Sequence, residues 1–365
     1  MTIGILKEPQ GENRVSMLPE AVAQLVKKGI TVWVEKGAGE RSFSSDNDYE
    51  KAGAVVLDNE GASHADIYLS IQPPAEPRPG IWVGVYQPLF QHALMSQWAA
   101  RNITTFSLDM LPRTTRAQSM DVLSSQANIA GYKAVLLAAH TYSRYFPMFM
   151  TAAGSIAPAK VLILGAGVAG LQAIATAKRL GAVVEVFDTR PAVKEEVMSL
   201  GARFIEVEGA ADASAAGGYA VEQSEDFKQR QRARIAESIA KSDIVITTAQ
   251  IPGKKAPVLI TSEMISSMRK GSVIIDLAAS TGGNTELTRD NETVDAEGVI
   301  IIGNSALPGS MPSDASKLYG KNVLHFLQLL IDKSGKLHLN WEDDLVKGCC
   351  ITHEGKVVNE RVATA

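Results

Sequence analysis

The sequence runs to 365 residues, with 45% hydrophobic positions, 21% charged positions and a net charge of -4. That balance describes an ordinary globular chain of about two domains at roughly 150 residues each, and without a basic surplus it excludes nucleic acid and other anionic polymers as natural partners. The two adjacent cysteines, Cys349 and Cys350, cannot staple distant segments, so a reducing compartment is expected and both read as small buried apolar groups.

The opening MTIGILKEPQ lacks the basic region and unbroken apolar stretch of a secretory signal and reads as a strand. No run of about 18 apolar residues follows, so no segment is expected to span a bilayer. The first third then alternates short apolar runs with amphipathic ones: TIGIL, LPEAVAQLVKKG, TVWVEKG, AVVL, ADIYLSI, WVGVYQP and TTFSLDM. Strand and helix periods taking turns imply parallel strands joined by crossover helices. RTTRAQSMD, at 113–121, places Arg113, Gln118 and Asp121 just before a long apolar helix, with Ser124 beyond. The residues alone leave two readings open, a helix-capping loop or a fixed set of hydrogen-bonding groups for a ligand. Residues 126–149 are expected as one helix linking two domains.

From Lys160 the alternation is cleaner: VLIL, a helix over 168–180, VVEVF, a helix over 191–199, RFIEV, a helix over 224–241, IVITT, a helix over 261–269, SVIIDL, and VIIIG at 299–303. This is the order of a doubly wound sheet. EGAADASAAGGYAVEQ, at 208–223, is too rich in Gly and Ala to pack on itself and reads as a mobile flap. The helix ASKLYGKNVLHFLQLLI follows Pro308 and Pro312, after the sheet is complete, and is expected to return to the first domain, leaving a tail rich in turns. The fold class is therefore α/β, with two Rossmann-like doubly wound parallel sheets. The expected domains are residues 1–125 with 310–365, a discontinuous N-terminal unit, and 126–309, a dinucleotide-binding unit that includes the linking helix.

The dinucleotide expectation rests on Gly165, Gly167 and Gly170 in G-x-G-x-x-G spacing between an apolar strand and an amphipathic helix. Gly165 permits the tight turn, Gly167 lets backbone approach a pyrophosphate, Gly170 allows helix to pack on strand, and the helix N-terminus, beginning at Val168, attracts the phosphate charge. Asp188 closes the next strand 23 positions after Gly165, where a carboxylate accepts from both ribose hydroxyls and repels a 2'-phosphate, so NAD is favoured over NADP. Arg190 offers such a phosphate a partner, and flavin suits the same fold. No metal is assigned.

IGILKEPQGENRVSMLPEAVAQLVKKGITVWVEKGAG, with GAGVAG and DTRP, resembles the family shared by alanine dehydrogenases and the NAD(H)-binding component of proton-translocating nicotinamide nucleotide transhydrogenase, over nearly the whole chain. Alanine dehydrogenases carry a substrate-binding lysine in a V-K-E-P context and a catalytic histidine after the next strand; the matching places here are IQPP, with Gln72, and VYQPLF, with Pro88. A dehydrogenase moving a proton with its hydride needs such groups. Arg14 matches the arginine that holds an amino-acid carboxylate, but reads better as fold support, and His92 and His140 read as structural. Direct transfer between two nicotinamides needs no proton, only orientation and exclusion of water.

By the resemblance, Arg113 and Gln118 would contact the nicotinamide end, Gln118 reaching toward the partner's nucleotide, while Asp121 and Ser124 would hold the carboxamide or its ribose. Gly218 and Tyr219 in the flap would fold over the adenosine, and Thr189, Arg190, Gln231 and Gln250 would line its pocket, Gln250 standing where an apolar residue is more usual. The resemblance implies NAD(H) on this chain and NADP(H) on a partner domain attached to membrane-spanning subunits. It further implies a homodimer and a peripheral place on the cytoplasmic side of the inner membrane, with the channel on a separate polypeptide or cut away after VATA. An amino-acid dehydrogenase with a rebuilt proton relay and a non-catalytic NAD(H) sensor are the competing expectations.

Overall fold

The computed structural model describes residues 1–58, 64–207, 209 and 224–364. The chain divides into two compact units, residues 1–126 with 308–365, and 127–307.

In the first unit, β1 (Thr2–Ile5), α1 (Pro19–Lys27), β2 (Thr31–Glu35), α2 (Asp46–Lys51), β3 (Val55–Leu57), β4 (Ile67–Leu69), β5 (Ile81–Gly84), α3 (His92–Ala100) and β6 (Thr104–Ser107) follow in order. Pro19 at the first turn presets α1, and Ser45 caps α2 reciprocally with Asp48. The six strands pair in parallel in the order 3-2-1-4-5-6. Because successive side chains face opposite sides of a strand, Val32, Val34, Ile67, Leu69, Ile81 and Val83 enter one core, while Trp33, Tyr68 and Trp82 enter an aromatic one with Trp98. Tyr68 stacks on Trp82 with ring centroids 4.8 Å apart. Both faces of the sheet are covered, as parallel sheets require.

α4 spans Val122–Thr141 rather than the expected 126–149. Its start is set earlier because Asp121 accepts from the Ser124 backbone at 2.9 Å and from its hydroxyl at 2.6 Å. Its end comes earlier because Tyr142 and Phe146 turn into the second unit's core and Pro147 cannot continue a helix. The chain then forms a two-stranded hairpin, β7 (Phe149–Thr151) with β8 (Gly154–Ile156).

The second sheet follows as β9 (Lys160–Leu164), α5 (Val168–Arg179), β10 (Val183–Phe187), α6 (Lys194–Ser199), β11 (Arg203–Phe204), α7 (Glu225–Ile239), β12 (Ile244–Thr247), α8 (Ser262–Ser266), β13 (Val273–Asp276), β14 (Glu292–Ala296) and β15 (Val299–Gly303). Its order is 11-10-9-12-13-15-14, parallel except for β14, which pairs antiparallel with β15 at the edge and has no counterpart in the sequence reading. Val161, Ile163, Ile244, Ile246, Val273 and Ile275 face one core; Leu162, Leu164, Val245, Ile274 and Ile301 face the other. Strand order reverses between β9 and β12, so the crevice beyond their carboxyl ends is where a doubly wound sheet takes its ligand.

α9 (Pro312–Leu330) then places Tyr319, Val323, Phe326, Leu327 and Leu330 in the first unit's core. α10 (Asp344–Cys349) leads to β16 (Cys350–His353) and β17 (Lys356–Val357), which extend the first sheet antiparallel from β6. The turn-rich tail is thus sheet. Cys349 and Cys350 are both buried and unbridged, and desolvation pushes the Cys350 thiol up to about 12.

Candidate functional site: a glycine-rich dinucleotide loop and a tethered polar loop

Gly165 follows β9 at φ 105°, a left-handed conformation that favours glycine. A Cβ there would collide with the Thr248 hydroxyl, which itself donates to the carbonyls of Leu164 at 3.3 Å and Gly165 at 3.2 Å and so braces the loop from the end of β12. A Cβ on Gly170 would overlap the Gly165 carbonyl oxygen, so that glycine is what brings α5 down onto the strand. A Cβ on Gly167 would meet nothing within 4 Å. This open approach, at the N-terminus of α5 where Val168 is the first helical residue, fits a pyrophosphate: the backbone N–H groups of the first turn and the positive end of the helix face it.

Asp188, just past β10, ties the loop to the second strand. Its carboxylate accepts from the Ala166 backbone at 2.7 Å, and from the Arg190 backbone at 2.8 Å, Nε at 2.9 Å and Nη2 at 2.7 Å. The hydrogen bond to Asp188 raises the guanidinium's pKa further above its already high ordinary value. Arg190 thus occupies both oxygens of the Asp188 carboxylate. Beside the pair lies a cavity of about 270 Å³ lined by Asp188, Thr189 and Lys194 with Phe187, Phe204 and Phe227. Glu206 adds a second carboxylate to the lining, and the aromatic walls with the Asp188 carboxylate suit an adenosine. Phe204 and Phe227 carried no signal in the sequence, because only the return of β11 and α7 brings them to the end of β10. Gln231 lies half-buried on α7, and Gln250 is exposed with its amide donating to the Leu277 carbonyl at 2.9 Å. Gly218, Tyr219 and the rest of the expected flap, residue 208 and residues 210–223, lie outside the described residues.

In the first unit, Arg113 and Gln118 are exposed on a loop whose 3₁₀ turn spans Thr115–Met120. Asp121 and Ser124 form the cap of α4 already described, so capping accounts for two of the four polar residues, and the other two present their side chains at the surface. Arg14 is tied internally: Nε and Nη2 donate to the Glu12 carboxylate at 2.8 and 2.5 Å, and Nη1 to Gln126 at 2.8 Å. The fork that would clamp a substrate carboxylate is filled by the protein's own. Gln72 donates to Glu12 at 3.3 Å, Pro88 is buried, and His92 sits at the first position of α3 against the Val362 carbonyl. Glu8, under this cluster, accepts from the Ile71 and Gln72 backbones at 2.6 and 3.1 Å, and its carboxyl is pushed up to about 8 by desolvation.

Two sequence profiles cover this architecture, the alanine dehydrogenase/PNT N-terminal domain over residues 4–130 and the C-terminal domain over 134–360. The chain belongs to the alanine dehydrogenase/PNT family. Within that family it is 45% identical over 376 residues to an NAD(P) transhydrogenase alpha-subunit chain of Rhodospirillum rubrum, covering 98% of each chain. It is 28% identical to the alanine dehydrogenase of Mycolicibacterium smegmatis, covering 100% of this chain and 96% of that one. Among solved structures, a transhydrogenase from Sinorhizobium meliloti superposes with a TM-score of 0.90 at 46% identity, covering 98% of this chain and 100% of that one. This alanine dehydrogenase/PNT chain is thus more similar to the transhydrogenase branch, in keeping with Gln72 and Pro88. Among the described residues no helix is long and apolar enough to cross a membrane.

Proposed function

We propose that this chain is the NAD(H)-binding subunit of a proton-translocating transhydrogenase, passing hydride directly between NAD(H) and NADP(H) held on a partner domain. The observation that carries the reading is an open glycine-rich loop combined with a first-unit polar cluster that lacks the dehydrogenase branch's proton carriers: Gln72 and Pro88 stand where that branch needs lysine and histidine, and Arg14 is filled by Glu12. Similarity to transhydrogenase alpha subunits supports it.

When bound, the dihydronicotinamide supplies a hydride and the oxidised nicotinamide accepts it, so no proton enters the step. The chain's own groups then bind and orient. Gly167 and the α5 N-terminus take the pyrophosphate, and Asp188 takes the ribose hydroxyls once Arg190 is displaced. Thr189, Gln231 and Gln250 are assigned to the adenosine end with Gly218 and Tyr219. Arg113 and Gln118 are assigned to the nicotinamide end, with Asp121 and Ser124 fixing their loop. Such a site works by orientation and exclusion of water rather than acid–base chemistry. Proton movement belongs to membrane-spanning partner subunits, which would hold this chain peripherally at the cytoplasmic face. A homodimer is part of the reading, supported by the hairpin β7–β8, where Met150 is 72% exposed, and by Met148 just before it, 63% exposed.

The test pairs the full chain with a recombinant NADP(H)-binding domain and follows NADH-dependent reduction of an NADP analogue, with fluorescence titrations against NADH and NADPH. Tight, selective NADH binding and turnover only with the partner are expected. Arg113→Ala and Gln118→Ala should lose hydride transfer by more than they lose NADH affinity. Brisk reduction of pyruvate plus ammonia by the chain alone would overturn the reading in favour of an amino-acid dehydrogenase.

A further inference from the structure

Arg113 sits on an irregular loop, yet α10 holds the chain on both sides of it. One residue before it, Pro112 packs against Gly348 so closely that a Cβ on that glycine would overlap the proline ring. Three residues after it, Arg116 reaches α10 from the other side: Nη1 and Nη2 each donate to one oxygen of Asp343 at 2.6 Å, and Nη2 also donates to Asp344. Asp343 is not a floating surface carboxylate. As the residue capping α10 it accepts from the Leu345 backbone at 2.9 Å, and α10 is itself anchored by buried Leu345, Val346 and Cys349. Further along, Asn322 of α9 donates to the Ser119 carbonyl at 2.8 Å.

Half-exposed ion pairs contribute little to folding stability, so a two-oxygen fork with a fixed direction at this spot is better explained by what it orients than by what it stabilises. We propose that Arg116 is a positioning residue for hydride transfer: its fork onto Asp343 and Asp344, with the Pro112–Gly348 contact, sets Arg113 and Gln118 on the α10 platform. This deepens the transhydrogenase reading and rests on it.

Arg116→Ala, Arg116→Lys and the swapped pair Arg116→Asp with Asp343→Arg are compared with the parent as full chains with the NADP(H)-binding domain. Three quantities are read: hydride transfer rate, NADH affinity by fluorescence, and amide hydrogen exchange across residues 113–121. Arg116→Ala should exchange faster across that loop and transfer hydride about tenfold or more slowly, since misplacement of a contact group by an ångström is enough for such losses. NADH affinity should stay within about twofold. Arg116→Lys should fall between, because an ammonium cannot match two carboxylate oxygens at once, and the swapped pair should recover part of the rate. The proposal is overturned if Arg116→Ala loosens the loop but transfers hydride at the parent rate, or if rate and NADH affinity fall in equal proportion. Unchanged transfer in Arg113→Ala would instead overturn the functional reading, whatever the exchange data on Arg116 show.

Discussion

Glu8 has a carboxyl that burial keeps protonated near neutrality, with two backbone N–H groups aimed at it. Its ordinary value is 4.5 and its folded value about 8, desolvation being the main cause, so across that window the folded chain retains a proton that the unfolded chain has released. Stability at this group is therefore intact below about pH 4.5 and is lost as pH rises toward 8, at up to about 1.4 kcal/mol per pH unit. Half-buried Asp109 is raised in the same direction, again chiefly by desolvation. Glu8→Gln should flatten the decline expected in denaturant melts between pH 5 and 8. Below about pH 4.5, where Glu8 holds its proton whether folded or unfolded, it should cost about 1–3 kcal/mol, because an amide NH2 cannot accept from the Ile71 or Gln72 backbone. Parallel pH curves for the two proteins would refute this account. Nothing in LKEPQ marks Glu8 as buried; its state follows from the closure of β1 against β4.

At the level of elements, the loop between β9 and α5 separates two kinds of glycine. Gly167→Ala, at φ -78° with open space around it, should leave the melting midpoint within the scatter of surface substitutions, about 0.5 kcal/mol, while NADH affinity falls at least tenfold as the methyl enters the pyrophosphate approach. Gly170→Ala should destabilise the second unit by about 1–3 kcal/mol, since α5 must lift from the strand. Calorimetry with NADH titration checks both; equal loss of stability in the two variants would contradict the assignment. The spacing GAGVAG and the strand runs around it were legible because period and glycine placement are local properties. The Thr248 brace was not, since it joins groups 83 positions apart. β14, β16 and β17 escaped notice for a related reason. They are short edge pieces whose pairing is decided by neighbours rather than by their own hydrophobic pattern, and TVDA and CITH carry little of one. α4 was misplaced at both ends because an apolar run does not record which cap or buried aromatic stops it.

Across the whole molecule, the hairpin β7–β8 is the feature whose burden is heaviest for its size. An isolated two-stranded ribbon is marginal in water, yet this one exposes Phe149 and Met150, with Met148 exposed just before it and Tyr145 stacked on Phe149 at 5.0 Å. With the proposed homodimer this apolar surface has a partner copy. Phe149→Asp with Met150→Asp should sediment as a monomer in analytical ultracentrifugation while still binding NADH, and a persistent dimer would relocate the interface. The first boundary between the two units falls within α4, and neither sheet borrows a strand from the other. The paired thiols beneath β16 have a practical corollary. Since the only two sulfhydryls, Cys349 and Cys350, are sealed inside and disfavour their thiolates, alkylating reagents should pass the native chain by. A single engineered surface cysteine would then accept a spin label or fluorophore against a silent background, with no native sulfur to remove first.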